Sequence, residues 1–61
     1  MKIEKIENVQ FEIIIMEDGS EFRRYSDNEW YSIFQGKIIP VDIHMKPVLN
    51  ILYKEFKNVQ N

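Results

Sequence analysis

Apolar and polar positions along this chain follow two different rhythms. Val9, Phe11, Ile13 and Ile15 recur at every second position, and Gln10, Glu12, Ile14 and Met16 fill the places between. A period of two belongs to a strand whose side chains alternate between faces, so a strand is predicted over residues 9–16. Glu17-Asp18-Gly19 then marks a reversal. A two-residue turn would set Ile13 opposite Arg24 and Glu12 opposite Tyr25. A three-residue turn with Gly19 left-handed sets Phe11 opposite Tyr25, Glu12 opposite Arg24 and Ile14 opposite Phe22. The second register is preferred, because it matches aromatic with aromatic and acid with base, pairs worth ~0.2–1 kcal/mol each.

The same reasoning carries the reading forward. A second strand is predicted over 20–26, a turn at Ser26-Asp27-Asn28-Glu29, and a third strand over 29–34 that holds Trp30 and Tyr31. Gln35-Gly36 reverses the chain again, and a fourth strand covers 37–41. Pro40 cannot donate to a ladder, which places that strand at a sheet edge. After Asp42 the rhythm changes. Met45, Val48, Leu49, Leu52, Phe56 and Val59 fall on one stripe at helical spacing. Pro47 suits a first helical turn and breaks an interior one, so the helix is predicted over 46–58. The fold class read from the pattern is α+β: a single domain over 1–61 with a four-stranded antiparallel β-meander followed by one C-terminal α-helix.

This sheet is apolar on both sides. Ile14, Met16 and Phe22 share one face; Phe11, Ile13, Ile15 and Tyr25 share the other. In the third strand Trp30 and Phe34 point one way, Tyr31 and Ile33 the other. One helix covers one face, and the pattern does not say which. Burying a Phe or Ile side chain contributes ~1.5–3 kcal/mol, so a second chain is expected over the remaining face. An identical chain is the simplest partner, because a two-fold interface uses one patch twice. Ile14, Met16, Phe22 and Ile51 are the candidate dimer-interface residues.

Composition narrows the chemistry. Ten acids against eight bases give a net charge of −2 and no basic field to attract nucleic acid. There is no cysteine, which removes disulfides and thiolate metal sites. The longest apolar run is four residues, and the first ten residues lack a signal-peptide core, so a cytoplasmic chain is expected. His44 with Asp42 is the one pair that could act as an oriented general base, but a solvated linker histidine beside a helix start is the preferred account of it. Glu17 with Asp18, and Asp27 with Glu29, lie in loops too short for a dedicated cation site. Gly19 and Gly36 are separate turn residues and form no phosphate loop. No catalytic set, metal site or cofactor site is expected. Arg23 and Arg24 beside Phe22, Tyr25, Trp30 and Tyr31 suggest a single-strand nucleic-acid platform, but neighbouring strand residues face opposite ways, so the arginines do not form one patch. Trp, Tyr and Arg are also the usual anchors of protein recognition. Arg23, Tyr25, Trp30 and Tyr31 are therefore the candidate partner-binding residues.

Ten isoleucines, six lysines and five asparagines, with no alanine or threonine, indicate AT-rich coding. The stretch EDGSEFRRYSDNEWYSIFQGKIIPV resembles a pattern in short bacteriophage accessory proteins: an Asp-Gly hairpin, a Tyr-Ser turn, a Trp-Tyr strand, a Gly turn and a closing helix. In size and composition the chain is similar to phage anti-defence inhibitors, the very small anti-Hachiman type among them. That resemblance implies a small homo-oligomer that blocks a host immune protein or sequesters its signal, and it assigns no residue a role. The alternative is a small single-stranded nucleic-acid-binding or regulatory protein.

Overall fold

The computed structural model describes residues 1–60. Five strands form one antiparallel sheet in sequence order: β1 (Ile3–Asn8), β2 (Glu12–Met16), β3 (Glu21–Ser26), β4 (Glu29–Phe34) and β5 (Lys37–Pro40). The helix α1 (Lys46–Gln60) follows. The α+β class and the meander agree with the sequence pattern, with one strand more than it predicts.

The added strand is β1, and its neighbour correspondingly starts later. The expected strand over 9–16 begins only at Glu12; Val9 N–H donates to the Phe11 carbonyl at 3.0 Å, closing the β1–β2 turn. Two-fold alternation hides β1 because it carries a bulge. Ile3 pairs with Met16 and Lys5 with Ile15, so Glu4 is an extra residue in the ladder. The bulge lets Ile3 and Ile6, three apart, both face the helix side.

The β2–β3 turn adopts the three-residue form. Gly19 has φ 90°, Met16 N–H donates to the Ser20 carbonyl at 2.9 Å, and Glu12 pairs with Arg24 and Ile14 with Phe22. Asp18 Oδ1 accepts from Ser20 N (2.9 Å) and Oγ (2.7 Å), and these bonds hold its carboxyl below the ordinary value. Between β3 and β4 the ladder shifts at Tyr25, which lies between the Arg24–Trp30 and Ser26–Glu29 pairs. The β4–β5 turn has Gln35 at φ 50° and Gly36 at φ 77°, the double left-handed geometry that suits a two-residue hairpin. Asp42 starts the approach to α1: its carbonyl accepts from Met45 and Lys46 N–H, and its Oδ1 accepts from His44 N–H at 2.6 Å. The helix begins at Lys46 as the spacing predicts, with Pro47 in its first turn.

The core lies between α1 and one sheet face. Ile14 and Leu49 are fully buried, Met16 and Trp30 nearly so, with Ile3, Phe22 and Val41 beside them. Ile6, Met45, Leu52, Tyr53 and Phe56 close its margin. This corrects the expected dimer surface. Ile14, Met16 and Phe22 are inside the chain's own core, and of the four candidates only Ile51 is exposed, on the outer side of α1. The reason is polar. Trp30 Nε1 donates to Asn50 Oδ1 at 2.7 Å, and Tyr53 Oη donates to the Glu12 carboxylate at 2.8 Å, so the helix finds partners on this face. On the opposite face Glu21 and Arg23 of β3 have no ion-pair partner among the described residues, whereas Glu12 and Arg24 on the helix side are bound to each other and to Tyr53.

Candidate functional site

The face turned away from α1 is assembled from every strand. Ile13 and Ile15 of β2 pair with Arg23 and Glu21 of β3, and those with Tyr31 and Ile33 of β4. Ile13, Ile15, Arg23, Tyr31 and Ile33 are half-buried by one another, while Tyr25 and Ile38 are exposed. An aromatic chain runs along one end. Phe11 and Tyr25 have ring centroids 5.0 Å apart, and Tyr25 meets Tyr31 edge-on at 5.5 Å. The Arg23 guanidinium lies over the Phe11 ring at 5.0 Å, a cation–π contact. Arg23 Nε is buried without a hydrogen-bond partner, and Arg23 makes no ion pair among the described residues. Tyr25, Glu29, Tyr31 and Ile38 line an open hollow of about 140 Å³.

Three of the four predicted partner-binding residues therefore meet on one surface: Arg23, Tyr25 and Tyr31. Trp30 does not join them. It is 1% exposed and belongs to the core, because the period of two sends it to the side opposite Tyr31. Phe11, Ile13, Ile15 and Ile33 complete the surface. Their shared parity with Tyr25 and Tyr31 was the available signal.

Arg24 lies on the other side, as alternation requires. Its Nη1 donates to Glu12 Oε1 at 2.6 Å, its Nη2 to Asp27 Oδ1, and its guanidinium stacks over the Tyr53 ring at 4.0 Å. Partial burial opposes its charge, and the bonds to Asp27 and Glu12 outweigh that opposition, so its pKa is raised. Glu12 also accepts from Tyr53, and Lys57 Nζ lies 3.7 Å away. The Tyr53 phenol is pushed above its ordinary value, first by burial and then by its bond to Glu12. This network fastens α1 to β2 and leaves the two arginines on separate faces.

The remaining candidates lie apart. His44 is exposed, and the Asp42 carboxylate is taken by the His44 main chain. Among the described residues, no three His, Cys, Asp or Glu side chains are grouped to hold a metal ion. A second cleft, of about 310 Å³, opens between the start of β1 and the end of α1, lined by Lys2, Ile3, Leu52, Glu55, Phe56 and Val59. No helix among the described residues is long and apolar enough to cross a membrane. No protein family, curated protein or solved structure matches the chain.

Proposed function

We propose that this chain is a non-catalytic, self-associating binding protein that inhibits another protein by covering part of its surface. The observation that carries the reading is the uncovered sheet face, where Arg23, Tyr25 and Tyr31 converge beside Phe11. Rigid aromatics and a guanidinium are the side chains that contribute most at protein interfaces. They lie on paired strands or beside them, so little order has to be gained on binding. A phage-encoded inhibitor of a host immune protein, working in the host cytoplasm, fits the size and the sequence pattern.

The contiguous aromatics give the nucleic-acid alternative its footing, since bases stack on such rings. Charge argues against it. Arg23 shares the surface with Glu21, Glu7 and Glu29, and Arg24 is consumed by Glu12 and Asp27. The test is capture from host lysate with tagged wild-type chain and with Tyr25→Ala. A protein held by the wild type and lost by the variant, with circular dichroism unchanged, supports the reading. Capture unaffected by the variant overturns it, and so does binding to single-stranded DNA or RNA that falls steeply with salt.

A further inference from the structure

The geometry points to a second copy of this chain as the occupant of the uncovered sheet face, seated about a two-fold axis that crosses the strands at right angles. This rests on the reading of that face as a protein-docking surface, and it names the partner and the register.

Between the bulge at Glu4 and the shift at Tyr25, the ladders of the five strands place the outward side chains in two parallel rows. One row is Lys5, Ile15, Glu21, Ile33 and Ile38; the other is Glu7, Ile13, Arg23, Tyr31 and Pro40. Between them, pointing the other way under the helix, run Ile6, Ile14 and Phe22. An axis in the interface plane, parallel to the rows and midway between them, lays each strand antiparallel on its own copy. The first row then faces the second row of the other subunit.

The charges match under that operation. Glu21 meets the partner's Arg23, and Arg23 meets the partner's Glu21. At the edge, Lys5 meets the partner's Glu7. The pairs on the other three strands carry no charge: Ile15 on the partner's Ile13, Ile33 on the partner's Tyr31, and Ile38 on the partner's Pro40. Neither Glu21 nor Arg23 has an ion-pair partner within its own chain among the described residues. Lys5 and Glu7 share a loose contact at 3.8 Å, both 58% exposed, which is free to exchange. An axis along the strands is disfavoured, because it would put Glu21 on the partner's Glu21 and Arg23 on the partner's Arg23. Aligned sheets pack at about −30°, so twist displaces the edges most and leaves the β3 pairing the best held.

Edge-to-edge association is blocked by contrast. Pro40 removes a donor from β5, and β1 carries a bulge with Glu4, Lys5 and Glu7 around it. The face spans roughly 20 Å by 17 Å from strand spacing and rise, on the order of 350 Å² per subunit, which is below the standard interface size and belongs to weak, transient association. Phe11 and Tyr25 lie beyond the two rows, so these two rings stay open to a target in the dimer while Arg23 and Tyr31 enter the seam.

Charge reversal tests the arrangement by sedimentation over micromolar to millimolar concentrations. The wild type is expected to pass from monomer to dimer. Glu21→Arg and Arg23→Glu, each alone and each folded by circular dichroism, should weaken self-association at least about tenfold, since every dimer carries the contact twice. An equimolar mixture of the two variants should recover it to within about threefold, as should the doubly reversed chain. A wild type that stays monomeric throughout overturns the seam, and so does a mixture that associates no better than its components. Tyr25→Ala should dimerise normally, so failure of target capture and failure of the seam are read in different variants.

Discussion

Glu12 is the point at which helix and sheet are fastened, and Tyr53→Phe tests that fastening. The carboxylate accepts from Arg24 Nη1 at 2.6 Å and from Tyr53 Oη at 2.8 Å, and the Glu12 side chain is only 12% exposed. A hydrogen bond to a charged group is worth about 1.5–3 kcal/mol. The variant keeps the ring over Arg24 and leaves Glu12 its arginine, so the low end applies and a loss of about 1.5 kcal/mol is expected. Domains of this size hold roughly 3–5 kcal/mol in all, so the change is large on that scale. With an m-value of ~1 kcal/mol/M, the urea midpoint falls by about 1.5 M. In a Glu12→Gln background the acceptor is neutral and the same substitution should cost about 0.5 kcal/mol, a coupling of about 1 kcal/mol. The assay is urea unfolding followed by fluorescence of Trp30, the single buried tryptophan, at one fixed protein concentration because association raises apparent stability. If Tyr53→Phe costs the same in both backgrounds to within about 0.3 kcal/mol, the ring's packing and not its hydroxyl holds the helix, and the reasoning fails.

Two further outcomes follow from the same structure. The raised Tyr53 pKa means that the fold favours the protonated phenol; its contribution is whole below the ordinary value of 10.0 and is lost as pH rises through the higher folded value, so alkaline unfolding should show a limb there that Tyr53→Phe removes. Leu49→Ala, at a fully buried position, should cost about 2–5 kcal/mol and leave the chain largely unfolded by far-UV circular dichroism, whereas Ile51→Ala, at 57% exposure, should stay within about 0.5 kcal/mol of wild type.

The hairpin register was legible because Glu12–Arg24 and Ile14–Phe22 offered complementary pairs that a one-residue slip would lose. The helix start was legible because Pro47 tolerates only a first turn. Strand β1 was not, since the bulge at Glu4 sets Ile3 and Ile6 three apart and breaks the alternation by which strands are recognised. The candidate site was half legible. Parity within β4 separates Tyr31 from Trp30, but joining Tyr25 to Tyr31 needs the β3–β4 register, which shifts at Tyr25, and parity does not say which face the helix takes. That choice rests on Asn50 reaching Trp30 and Tyr53 reaching Glu12, contacts 20 and 41 residues apart in sequence, which no local pattern displays.

The meander pairs only neighbours, β1 with β2 through to β4 with β5, whereas the bonds of α1 to the sheet reach far back along the chain. Hairpins close in microseconds, so the strands can pair before residues 46–60 cover their apolar side. A message cut short before that segment would release a ribbon with Ile14, Met16, Phe22 and Trp30 bare. Exposed apolar surface of that kind makes a partly folded chain prone to aggregation.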